Sequence, residues 1–230
     1  MGKEGQFQKG VVITVDGSSG SGKSTLSRRL AERLGWPFLD SGAWYRALTW
    51  ACLEANVDPS DGEAVKQLLF SLDLRSNTDG VVVCDGTPLT GCLRTPRIDH
   101  AVSQVADHFP VREALNERMR AMVQLHGGEG LVADGRDAGT NIFPDAALKI
   151  FVEASLDVRS ERRYAQMQAD AIEITFPEVH TALAQRDARD AARGDAAPHP
   201  TDGSRILNND NQTVEEAVGC LLTWTEQLVS

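Results

Sequence analysis

The stretch Val11-Val12-Ile13-Thr14-Val15-Asp16 runs straight into Gly17-Ser18-Ser19-Gly20-Ser21-Gly22-Lys23-Ser24, and a helical pattern carries on to Leu34. The second piece fits GxxxxGK[ST], and its flanks, an apolar strand before and a helix after, give that spacing its meaning. Glycines let the backbone curl until successive N–H groups converge on phosphate oxygens. The helix that follows turns its positive end to the same place. Lys23 then reaches the outer phosphates of a nucleoside triphosphate, and Ser24 supplies a hydroxyl for magnesium.

Outward from this loop, the chain alternates strand and helix signals. Residues 37–40 read as a short strand, 42–56 as a helix, and another helix starts at Ser60. Residues 72–77 and 81–85 are extended runs around the turn Thr78-Asp79-Gly80, which is hairpin patterning. Helical pattern resumes after Thr95-Pro96, with Leu115, Met119, Met122 and Val123 on one face. Residues 131–134, Leu148–Glu153 and Arg205–Asn208 read as strands, and 157–168 and 176–192 as charged helices. A closing helix places Val214, Ala217, Val218, Leu221, Leu222 and Leu228 on one side. The expected fold is therefore α/β: a P-loop parallel sheet flanked by helices, with a small antiparallel insertion, all in one domain.

Composition narrows the function. A formal charge of −10 and a pI near 5.0 argue against broad nucleic-acid binding, which needs a basic surface. Yet 18 of the 23 cationic residues are arginine. Arginine's rigid fork suits phosphate oxygens, although biased codon usage would produce the same excess. No run approaches the ~20 apolar residues of a membrane helix, and the first ten residues lack a secretion signal. Cys52, Cys84, Cys92 and Cys220 show no CxxC spacing, so reduced thiols in a cytoplasm are expected. The five histidines, His100, His108, His126, His180 and His199, form no ligand spacing.

Further segments carry a specific resemblance. Leu39-Asp40-Ser41-Gly42-Ala43-Trp44-Tyr45-Arg46 resembles the LDSGAxYR signature of bacterial cytidylate kinases. Asp134-Gly135-Arg136-Asp137-Ala138-Gly139-Thr140 is similar to their DGRDxGT segment, and Phe143-Pro144-Asp145-Ala146 continues it. Arg186-Asp187-Ala188-Arg189-Asp190 with Arg193 and Ala197-Pro198 resembles RDxxDxxR…AP. Ser103-Gln104-Val105-Ala106 and Val111-Arg112-Glu113-Ala114-Leu115 match two more family segments.

The resemblance implies an enzyme that phosphorylates CMP, and dCMP, from ATP with Mg2+, acting as a monomer. It implies a core near 10–60, 107–158 and 200–230, an acceptor-binding insertion near 68–106, and a short helical lid near 159–196. By position, Gly17 to Ser24 with Thr25 and Arg162 would hold ATP, and Arg46, Arg136 and Arg193 the acceptor phosphate. Ser103, Arg112 and Asp137 would read the cytosine edge, with Ser41, Tyr45, Arg186 and Asp190 around sugar and phosphate. Lys23, Arg46, Arg136, Asp137, Arg186 and Arg193 form the catalytic set so implied.

Other readings stay open. The Arg186–Arg193 run also fits an exposed helix laced with ion pairs, and Arg159, Arg162 and Arg163 fit either contacts to ATP from the lid or a charged helix face. Trp36, Trp44, Trp50 and Trp224 read as packing residues. Ser24-Thr25 stands where relatives often have Gly-Thr, and Asn208 where they often have aspartate near the adenine. A kinase for UMP or AMP is the nearest rival, followed by a non-catalytic ATP-binding module. A GTPase lacks support, because Asn208-Asn209-Asp210-Asn211 does not fit an NKxD base-reading motif.

Overall fold

A computed structural model describes residues 10–125, 130–194 and 197–228. The polar N-terminal stretch before Gly10, His126, residues 195–196 of the expected lid and residues 229–230 lie outside the described residues. β1 (Val11–Gly17) feeds the glycine loop into α1 (Lys23–Leu34), which buries Leu26, Leu30 and Ala31. β2 (Phe38–Asp40) passes directly into α2 (Ser41–Glu54), because the Asp40 carboxylate caps the helix by accepting from the Ala43 N–H at 2.9 Å. A cap of this kind contributes about 1 kcal/mol. α3 (Gly62–Ser71) starts behind a similar cap from Asp61.

β3 (Leu74–Ser76), β4 (Val82–Cys84) and β5 (Thr87–Pro88) make a separate antiparallel sheet, as the hairpin patterning predicts. α4 (Pro96–Asp107) and α5 (Phe109–Leu125) then follow as two helices, broken at His108. Pro110 supplies no N–H to continue a preceding helix, and the His108 ring lies 2.9 Å from the Pro59 carbonyl. β6 (Gly130–Asp134) leads into a π-helical turn, Ala138–Ile142, and then β7 (Leu148–Glu153). α6 (Leu156–Ala169), α7 (Phe176–Ala191), β8 (Arg205–Asn208) and α8 (Val214–Glu226) complete the chain.

The main sheet has the order β2-β6-β1-β7-β8 and is parallel throughout. β1, β6 and β7 are buried on both faces, which explains their apolar runs, whereas the edge strand β8 leaves Ile206 51% exposed. One face packs on α2, α3, α5 and the small sheet through Trp44, Leu48, Leu69 and Leu115. The other packs on α1 and α8 through Leu26, Leu30, Val218 and Leu221. Trp36 and Trp44 are buried, and Trp50 and Trp224 pack against these clusters, as expected.

The closing helix departs from its expected face at both ends. Val214 is 43% and Leu228 37% exposed, because they sit beyond the sheet in the first turn and after the last. The small sheet is also tied to the core. The Phe38 N–H donates to the Thr78 carbonyl at 2.8 Å, and Arg28 donates to the Asp79 carbonyl at 2.7 Å while covering the Phe38 ring. The four cysteines are free, Cys52 and Cys84 being buried. No helix among the described residues is long and apolar enough to cross a membrane.

Candidate active site

The carboxyl ends of β1, β2 and β6 bring Gly17, Asp40 and Asp134 to one edge of the sheet, where open parallel sheets bind their ligands. The loop from Gly17 to Ser24 lies there between β1 and α1. Gly22, with φ 93°, is the left-handed entry to α1, and an added Cβ would lie 2.7 Å from Asn209 Nδ2. At Gly17 a Cβ would meet the Val152 carbonyl oxygen at 2.3 Å. No side chain fits at either position.

The loop is braced from outside through its carbonyls. Arg159 donates to Ser19 O at 3.0 Å, Arg162 to Ser21 O at 3.4 Å, and Asn209 Nδ2 to Ser21 O at 2.7 Å. Within the loop, the Ser21 N–H donates to the Ser18 carbonyl at 3.4 Å. Lys23 folds back over the loop and donates to Ser18 O at 3.2 Å. Its pKa is pushed down to about 8, by burial first and then by Arg136, with Asp134 opposing. Asp134 is pushed up to about 6 by burial, against the pull of Lys23 and the Ser24 hydroxyl. Its Oδ1 is buried without a hydrogen-bond partner. Thr25, by contrast, is exposed on α1.

The residues expected to hold the acceptor come from α2, α4, α5, α7 and the turn after it, and the segment after β6. Asp190 pairs with Arg136, and with Arg193 at 2.7 Å; Arg193 also reaches Asp107 at 2.9 Å. Arg46 pairs with Asp99 at 2.5 Å. Arg112 pairs with Asp137, and its guanidinium stands 5.7 Å from the Tyr45 ring centroid. The Tyr45 hydroxyl is buried without a partner, and burial pushes its pKa up to about 12. Arg186 makes no hydrogen bond or ion pair with a described side chain. Burial and then Arg136 push its pKa down to about 10. Ser41 is buried at the start of α2. Ser103, half-exposed on α4, makes no hydrogen bond among the described residues, so nothing ties it to the Arg112–Asp137 pair.

The part played by Asp16 escapes sequence reading, as does the bracing role of Arg159. Asp16 accepts from the Ala138 N–H at 2.8 Å and the Gly139 N–H at 2.7 Å, so it fastens the segment carrying Arg136 and Asp137 to β1. Burial pushes its pKa up to about 7, against these two donors. Arg159 is buried, paired with Asp187 at 2.6 Å, and joins α6 to α7 as well as to the loop. Arg162 lies against the loop at Ser21, whereas half-buried Arg163 donates to Gln166 on its own helix at 2.9 Å. A cavity of about 440 Å3 opens beside the loop at Ser18, walled by Phe151, Glu153, His199, Asn208 and Asp210.

Comparison with known proteins bears on the family and the fold. A family model described as Cytidylate kinase matches residues 13–227. The cytidylate kinase of Aeromonas salmonicida (strain A449) is 39% identical over 223 residues, covering 96% of each chain. That of Klebsiella pneumoniae (strain 342) is 41% identical over 219 residues, covering 94% of this chain and 95% of its own. Among solved structures, an uncharacterized protein from Eubacterium ventriosum ATCC 27560 aligns over 96% of this chain and 99% of its own, with TM-score 0.55 at 13% identity. TT1252 from Thermus thermophilus covers 97% of this chain and 100% of its own, with TM-score 0.52 at 17% identity. These two likenesses concern the fold. With a family match over nearly the whole chain and relatives near 40% identity, the chain belongs to the cytidylate kinase family.

Proposed function

We propose that this chain transfers the γ-phosphoryl group of ATP to CMP, and to dCMP, releasing ADP and the cytidine diphosphate. The observation that carries this reading is the crowding of cations at the loop mouth. Besides burial, Arg136 and Arg186 lower the proton affinity of Lys23, and Arg136 and Arg46 lower that of Arg186, although Asp134 and Asp190 stand close by. Such crowding of like charge, only partly offset by the paired carboxylates, would be relieved by phosphate oxygens.

Two nucleotides that repel each other must meet with their phosphates in line. Lys23 and the loop N–H groups would hold the β- and γ-phosphates, and Arg46, Arg136 and Arg193 the acceptor phosphate. A phosphate monoester is mostly dianionic at pH 7, with a second pKa near ~6, so the acceptor needs no protein base. Mg2+ fits the donor set, since Asp134 Oδ1 is a buried oxygen without a partner beside the Ser24 hydroxyl. When bound, the ion would neutralise phosphate charge. The 440 Å3 cavity at Ser18 suits the adenine, with Asn208 in its wall.

Asp137 would accept from the cytosine 4-amino group, and Arg112 donate to the ring acceptors, an arrangement that opposes uracil's 4-carbonyl and N3–H. The insertion near 68–106 would then form the acceptor-binding part and residues 159–196 the lid. We place the reaction in the cytoplasm, with a monomeric chain acting on small nucleotides and not on nucleic acid. Four free thiols and a net charge of −10 support this.

The test is ADP formation with CMP, dCMP, UMP, AMP and shikimate as acceptors. CMP and dCMP should be used well and the others poorly, and Lys23→Ala should lose at least about a hundredfold in kcat while staying folded. Preference for UMP or AMP, or ADP release independent of acceptor, would overturn the reading.

A further inference from the structure

The segment after β6 is held from two sides. Asp16 on β1 takes the N–H groups of Ala138 and Gly139, and α5 lays a stripe of polar residues along the other side. That stripe is Arg112, Asn116 and Arg120, spaced four residues apart and so on one helix face. Arg120 donates to the carbonyls of Asn141 and Ile142 at 2.7 Å each. Asn116, itself buried, stands 3.5 Å from the Asn141 carbonyl. Arg112 pairs with Asp137 Oδ2. The clamp thus fixes the backbone of Asn141 at one end and the carboxylate of Asp137 at the other.

Within the clamp, the π-helical turn Ala138–Ile142 brings the Asn141 side chain back to Asp137. The Asn141 N–H donates to the Asp137 carbonyl at 2.8 Å, and its Nδ2 donates to Asp137 Oδ2 at 2.7 Å. One carboxylate oxygen therefore receives both Arg112 and Asn141, while Oδ1 receives no described donor. The geometry points to Asn141 as a positioning residue for base selection: it fixes the Asp137 rotamer so that Oδ1 faces the acceptor base as a pure acceptor. This rests on the proposed cytosine reading by Asp137 and adds what gives that reading its direction. With Arg112 alone, the carboxylate could pivot about a single anchor. With two donors on one oxygen it keeps one plane, and a base offering an oxygen in place of an amino group meets an unyielding acceptor.

The experiment measures kcat and KM for CMP and UMP, at saturating ATP, in wild type, Asn141→Leu, Asn141→Asp, Asp137→Ala and the double variant Asp137→Ala/Asn141→Leu. Asn141→Leu removes the donor at similar size, and Asn141→Asp sets a second carboxylate against the first. Both should lower the CMP-over-UMP ratio of kcat/KM by about tenfold, the usual scale for one hydrogen bond to a charged group. The loss should fall on KM for CMP, with KM for ATP near wild type. In the Asp137→Ala background, Asn141→Leu should leave the ratio unmoved. A folded Asn141 variant with an unchanged ratio, or one whose ratio falls equally with and without Asp137, overturns the inference. If Asp137→Ala itself leaves the ratio unchanged, the base-reading assignment fails first, and this inference with it. A ratio that moves for Asp137→Ala but not for Asn141→Asp sinks the inference alone.

Discussion

Lys23 carries two demands that pull in opposite directions. In its proposed role it must be buried to meet phosphate without competing water, yet burial disfavours its charge. With its pKa lowered to about 8 from 10.5, the folded chain holds fewer protons than the unfolded chain between those values. Stability from this residue is therefore lowest below pH 8 and recovers as pH rises through that window. Activity runs the other way, because phosphate needs the charged form. The kcat/KM for ATP, which reports the free enzyme, should fall above about pH 8. In kcat the falling limb should move to higher pH, since bound phosphates favour the ammonium. Parallel profiles of the two parameters from pH 6 to 10 check this; a flat kcat/KM through pH 9 would refute it.

At the scale of elements, the glycine loop was legible because its information is local: strand, glycines, lysine and helix are contiguous. Gly22 shows why substitution there is severe. A Cβ would require a left-handed conformation that costs a non-glycine residue about 1–2 kcal/mol, besides the contact with Asn209. Gly22→Ala should lower the thermal midpoint by a few degrees and raise KM for ATP more than KM for CMP, read by calorimetry and initial rates. Asn209 itself lay within a segment that sequence reading weighed only as a base-reading motif. Its role depends on a contact with Ser21 across 188 residues, and no pattern along the chain signals that. Asp16 is hidden for the same reason, its partners lying 122 and 123 residues away. The π-helical turn was invisible too, because such turns are rare and lack a sequence signature. The arginines proposed to hold the acceptor phosphate were singled out only through family resemblance, since a charged helix face produces the same pattern.

Across the whole molecule, α6 and α7 form a pair held by Arg159–Asp187 and by the edge contact of Tyr164 with Phe176, and only a few of their side chains are buried. The small sheet differs, being stitched to β2 and α1 at Thr78 and Asp79 and sharing the core of α2 and α5. Closure over two nucleotides should therefore be carried by α7 swinging toward α4, about the Arg193–Asp107 contact. Hydrogen exchange should show new protection in α6 and α7 when both nucleotides are bound, and little change in β3 and β4. Equal protection with and without nucleotides, or a change confined to the small sheet, would contradict this.

The cluster of Arg136, Asp190, Arg193 and Asp107 has a consequence for the idle protein. Its guanidinium groups already hold counter-ions of the chain's own making, so a phosphate arriving at the proposed acceptor site would enter by trading places with carboxylates. Capture is then an exchange of anions, with little small-ion release into solution. Only a ligand that brings more charge, or better fork geometry, than the resident carboxylates can complete the trade. Chloride and single carboxylates gain nothing by it, and the site stays available in a cell full of weaker anions.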